Sequence, residues 1–187
     1  MGLFFDDIDA AHRFSLELDR HQNTLTCTGC SCSGQFVSHG FVYKKHSQGR
    51  QRTVGKRILC SSRCGRSGCG RTLRLYLNTE LPRLQYTATH LLIFLTTLIA
   101  GFSIQRAYSQ ATSAPTTRNA YRWINKLNRK LMDYRNRLRK PKEAAAMFGR
   151  SRSRRLHILL ITLERLSSIL EQPLCQHYQQ RYQSAFI

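Results

Sequence analysis

The chain has 187 residues, and 41% of them are aliphatic, aromatic or cysteine, which supplies compact cores and excludes a wholly disordered chain. Its formal net charge of +20 repels itself, so a polyanionic partner is expected, nucleic acid ahead of an anionic membrane. The charge is also segregated. Asp6, Asp7, Asp9, Glu17 and Asp19 crowd the first twenty residues. Cys27 to Arg74 holds ten Lys or Arg and no acid, and Arg118 to Lys142 holds ten more against Asp133 alone. A surface serving solubility mixes its signs, so two nucleic-acid faces are expected behind an acidic head.

Residues 1–26 form that acidic segment, for which the sequence suggests no role. Met1 to Phe5 runs straight into acids, without the basic start of a signal peptide. The longest apolar stretch, Leu91 to Phe102, is too short for the roughly 20 residues that span a bilayer. A cytoplasmic protein with no membrane contact is expected. Clustered cysteines in a reducing compartment suggest a metal rather than disulfides.

Residues 27–80 read as a zinc ribbon. Cys27, Cys30 and Cys32 make a first group, and Cys60, Cys64 and Cys69 a second, about thirty residues later. Two thiolate groups on tight turns joined by extended chain suit a structural tetrahedral Zn2+, one per chain. Phe36-Val37, Phe41 to Tyr43, Arg57 to Leu59 and Thr72 to Leu77 read as the strands. Six cysteines compete for four places. Cys27, Cys30, Cys60 and Cys69 are preferred, with Cys32 and Cys64 as alternates, and pairings of Cys64 with Cys60 or Cys69 stay open. His39 and His46 read as exposed polar residues. The competing reading is a set of free structural thiols, which leaves so small a segment little to hold it folded.

After Leu81-Pro82 the apolar period shifts from two to about 3.6. Residues 81–138 are expected to form a helix-turn-helix with an extended third helix. Tyr86, Leu91, Leu95 and Leu98 mark the first helix, Gly101 can cap its end, and Ser103 can cap a second helix running to Ala111. The third helix follows Pro115, with Trp123 and Ile124 as anchors. Its outer face would offer Arg118, Arg122, Asn125 and Arg129 to DNA, with Thr117, Asn119 and Lys126 beside them. The competing reading is an ordinary basic amphipathic helix. Ile124, Leu127, Leu131, Tyr134 and Leu138 have the spacing of a coiled-coil seam, which suggests a homodimer. Residues 139–155 read as a basic linker in which Arg152, Arg154 and Arg155 meet phosphate. Residues 156–187 give a last helix, ended by Pro173, and a tail rich in Gln and Tyr. The expected fold class is α+β: a small N-terminal β ribbon, an all-α helix-turn-helix region and a C-terminal helix.

Paired Cys knuckles, a strand entering the second, the Cys69-Gly-Arg-Thr72 ending and a following helix-turn-helix resemble the N-terminal DNA-binding region of bacterial insertion-sequence transposases. The resemblance covers residues 27–138. It implies binding to double-stranded DNA and partnership with a transposase or other mobile-element protein. Those transposases continue into a nuclease domain with three metal-binding carboxylates. Here only Asp133, Glu143, Glu164 and Glu171 lie beyond Glu80, with no alternating strand to carry them. A transposon-associated accessory, targeting or regulatory factor is therefore expected, and not an enzyme. An RNA-binding or ribosome-associated zinc-ribbon protein and a protein-interaction adaptor are the rival readings.

Overall fold

The computed structural model describes residues 2–20, 25–45, 51–114, 116–137, 154–167 and 174–187. Pro115, Leu138, most of the expected linker including Arg152, and His46 lie outside them; Arg154 and Arg155 open a helix. The fold is α+β. Among the described residues, four strands form one sheet and seven helices accompany it. The chain divides into two compact units, 1–87 with 175–186, and 88–174.

The first unit is built on a sheet of order β1-β4-β3-β2. Strands β2 (Phe36–Lys45), β3 (Gln51–Cys60) and β4 (Thr72–Leu77) are antiparallel neighbours, while β1 (Gly2–Phe5) joins the edge parallel to β4. Helix α1 (Ile8–Arg20) packs on β2 and β3. Its Ala11 and Leu18 share a core with Phe36, Ile58, Leu75, Cys27 and Cys60. The acidic head is thus a structural part of the unit. Asp7 Oδ1 accepts the Ala10 N–H at 2.6 Å in the first turn of α1, and a carboxylate is favoured at that pole of a helix.

Two polar devices close the sheet. Glu80, fully buried, is the lone acid between Asp19 and Asp133 and takes Lys44 Nζ at 2.9 Å and an Arg52 guanidinium. Lys44 Nζ also donates to the Leu81 carbonyl at 2.9 Å, so the far end of the β2–β3 hairpin is tied to the chain leaving β4. The Gln-rich tail supplies the second. Helix α7 (Leu174–Tyr182) carries Gln179, whose amide donates to the carbonyls of Asn78 and Glu80 and accepts the Phe186 N–H. Gln183 accepts the Phe4 N–H at 2.6 Å and donates to the Phe4 carbonyl at 3.0 Å. One side-chain amide thereby occupies both hydrogen-bonding groups of a residue on the exposed edge strand, a pairing otherwise made by another strand.

The second unit is helical. Helix α2 (Ala88–Ile99) ends at Gly101, whose φ of +90° lets the Gly101 N–H reach Leu98 O and the Phe102 N–H reach Thr97 O. Ser103 caps α3 (Ile104–Thr112), its side chain accepting the Arg106 N–H at 3.3 Å. Five residues separate α3 from α4 (Arg118–Arg129). Phe94, Tyr108 and Trp123, one from each helix, meet edge to face, with ring centroids 5.3–6.1 Å apart. Ala107, buried beside them, permits the close approach of α3. Helix α6 (Arg154–Ser167) packs on α2 and α4 and buries Leu156, Leu159 and Leu163.

The expected long third helix is two. It breaks at Lys130, whose N–H reaches the Lys126 and Leu127 carbonyls, and resumes as α5 (Leu131–Arg137). Ile124, Leu127 and Tyr134 of the seam are buried within the chain itself. Among the described residues no helix is long and apolar enough to cross a membrane.

Trp123 is the largest fully buried side chain, and its ring touches both partner rings. Trp123→Ala is expected to lower stability by about 3–5 kcal/mol. The loss should appear in denaturant unfolding followed by helical circular dichroism.

Candidate metal centre

Four sulfurs converge where the two knuckles meet. The ligand atoms of Cys27, Cys30, Cys60 and Cys69 all lie within 4.8 Å of one another. Cys27 Sγ is 3.6 Å from Cys69 Sγ, and Cys30 Sγ is 3.7 Å from Cys60 Sγ. A tetrahedron with metal–sulfur bonds of about 2.3 Å has edges of about 3.8 Å, so the cluster has the size that a four-thiolate metal ion needs. The four preferred cysteines of the sequence are the four that come together.

Each knuckle is a turn stitched by backbone bonds. In the first, the Cys27 N–H donates to Cys32 O at 2.9 Å and the Ser31 N–H to Cys27 O at 2.8 Å. Thr26 and Ser33 pair across its base. In the second, the Cys60 N–H donates to Arg71 O and the Gly70 N–H to Cys60 O, both at 2.8 Å, which holds Cys60 and Cys69 on neighbouring chain segments. The eight intervening residues form a side loop. The Gly68 N–H closes it on Ser61 O at 2.8 Å, and a Cβ at Gly68 would lie 2.3 Å from that oxygen, so glycine is required there. Arg66 donates to the carbonyls of Gly34 and Phe36, and Gln35 Oε1 accepts the Ser67 N–H, which pins the loop to the start of β2.

That loop explains the long Cys60–Cys69 spacing and disposes of the alternates. Cys64 sits at the exposed tip with φ of +56°, outside the cluster. Cys32 Sγ turns to Cys30 O at 3.6 Å rather than to the other sulfurs. His39 is exposed and outside the cluster.

The environment prepares a thiolate at Cys27. The Gly29 N–H points at Cys27 Sγ from 3.3 Å, and with the Cys30 N–H it draws the Cys27 thiol down to about 6. Cys60 is pushed the other way, to about 12, first by burial and then by the adjoining Cys30 and Cys27 sulfurs, although the Cys69 N–H reaches its Sγ at 3.4 Å. Four thiolates this close repel one another, and a cation at their centre removes that cost.

The candidate DNA contacts lie on the other unit. Arg118, Arg122, Asn125 and Arg129 are exposed along one side of α4, opposite buried Ala120, Trp123, Ile124 and Leu127. Thr117, Asn119 and Lys126 are half-buried at its margins, and Arg122 Nη1 lies 3.4 Å from Asn119 Oδ1. Tyr121 belongs to the same exposed side and was missed; its spacing of three from Arg118 and four from Asn125 was the signal. No known family model, curated protein or solved structure matches the chain.

Titration of the reduced, metal-free protein with Co2+ should give one equivalent bound, with the intense charge-transfer absorption of thiolate ligation. Cys32→Ser and Cys64→Ser should keep that spectrum. Serine at Cys27, Cys30, Cys60 or Cys69 should weaken or abolish it.

Proposed function

We propose that the chain is a sequence-specific DNA-binding protein, in which a structural zinc ribbon precedes a helix-turn-helix that reads the major groove. Support for zinc comes from the donor set. Four thiolates at tetrahedral spacing favour Zn2+ among common cellular metals and leave no open position for an activated water. The protein is on this account a binding factor rather than a catalyst. When bound, the ion supplies the cross-link between the two knuckles.

The observation that carries the DNA reading is the division of α4. One side is anchored by Trp123 in the ring cluster, and the other presents Arg118, Arg122, Asn125 and Arg129 to solvent. Arginine pairs with guanine and asparagine with adenine on their major-groove edges. Thr117 makes no side-chain cap at the start of α4, which leaves backbone N–H groups for a phosphate. Helix α3, joined to α4 by a short turn, exposes Gln105, Arg106, Ser109 and Gln110, polar types suited to the DNA backbone. The order of modules, similar to the end-binding region of insertion-sequence transposases, supports a transposon-associated accessory, targeting or regulatory role.

The test is a binding titration on a selected site and on random duplex. Alanine at Arg118, Arg122 or Asn125 should cost roughly 1–3 kcal/mol on the selected site and much less on random DNA. Equal losses on both would remove α4 as the reading helix.

A further inference from the structure

The basic block from Cys27 to Arg74 does not act as one surface. Lys56 is buried beneath α1, its Nζ 2.6 Å from His12 Nδ1 and over the Phe41 ring. Lys44 and Arg52 are taken by Glu80. Arg66 is spent on the carbonyls of Gly34 and Phe36. Of the other exposed cations Lys45, Arg57, Arg63, Arg71 and Arg74, the strand register pairs Arg57 with Arg74, and Arg74 also donates to the Tyr76 hydroxyl at 3.1 Å.

The two arginines stand directly opposite each other on β3 and β4. Alternation along β3 sends Ile58 and Cys60 into the core under α1, so Arg57 faces the other way, and along β4 Arg74 alternates likewise with core Leu73 and Leu75. The same row continues across the sheet. Gly2 partners Arg74 on β1, and the bulge residues His39 and Gly40 oppose Arg57 on β2. The two guanidinium groups are thus flanked by two glycines and the exposed His39. Like charges directly opposed on neighbouring strands destabilise a sheet unless an anion joins them. Glu80 pairs with Lys44 and Arg52, and among the described residues no carboxylate joins Arg57 to Arg74.

The two faces also differ in charge. Helix α1, where exposed Asp9 and Glu17 offset Arg13, covers the face that Arg57 and Arg74 avoid. A polyanion is attracted more to the arginine face than to the α1 face, which favours one orientation of the unit towards it.

We propose that this outer sheet face, centred on Arg57 and Arg74, is a second DNA-contact surface that grips the phosphodiester backbone of a duplex without reading its sequence. The proposal rests on the DNA-binding reading above. Guanidinium forks suit phosphate oxygens, and two of them side by side can share one phosphate or take neighbouring ones.

The test uses the full-length, metal-loaded protein on random and selected duplexes at about 50 to 200 mM salt. The double variant R57Q/R74Q is compared with wild type and with R13Q, which removes an exposed charge on α1. The double variant should flatten the slope of log affinity against log salt by about 2, so its disadvantage shrinks about tenfold across that range. Its ratio of selected-site to random affinity should stay that of wild type. Its thermal midpoint should hold or rise, because the opposed charges are gone, whereas a merely structural pair would lower it. R13Q should leave the slope unchanged. A wild-type protein that binds no duplex overturns both the DNA reading and this surface. Wild-type binding with an unaltered slope in R57Q/R74Q, or an equal change in R13Q, overturns this surface alone.

Discussion

Four cysteine sulfurs sharing one small volume set the constraint on which the N-terminal unit depends. Two of the four, Cys27 and Cys60, are also core residues, packed with Phe36, Ile58 and Leu75 beneath α1. The metal site and the hydrophobic core are therefore one structure. The core is small, and unpaired thiolates inside it would carry both mutual repulsion and a desolvation cost. A bound cation relieves both and joins chain segments more than thirty residues apart. Sheet, helix and tail then assemble on a base that the knuckles define.

Around that base the chain spends its polar residues sparingly. A single buried acid, Glu80, neutralises two cations and anchors the hairpin end. A single amide, Gln183, occupies the edge of β1. The tail returns to the unit where the chain began, so the helical unit is an insertion between residues 87 and 175. Both of its ends are thereby covalently joined to the unit that carries the four-cysteine cluster.

The cysteine cluster was legible because ligand chemistry demands particular residues at particular turns, and Cys60 ending a strand singled it out. Helix ends at Gly101 and Ser103 were legible for a similar reason, since capping is local. The acidic head was not. Strand β1 pairs with β4 across some seventy residues, and no period in a four-residue strand announces its partner. The tail was opaque because Gln179 bonds the distant turn after β4 and Gln183 the distant strand β1, which leaves no pattern in their own neighbourhood. Glu80 drew no role from the sequence, because the cations it neutralises, Lys44 and Arg52, lie about thirty residues away on the β2–β3 hairpin. On α4 and α5 helical periodicity reports burial without saying whether the same chain or a second one provides it, and Ile124, Leu127 and Tyr134 are buried within this chain.

The central claim is that a metal ion holds the sheet unit together while the helical unit stands on its own aromatic core. Amide hydrogen exchange before and after chelation of the metal tests it most directly. The account predicts that residues 27–77 lose protection when the metal is removed, while 88–137 keep theirs. Unchanged protection across 27–77 in demonstrably metal-free, reduced protein would contradict it.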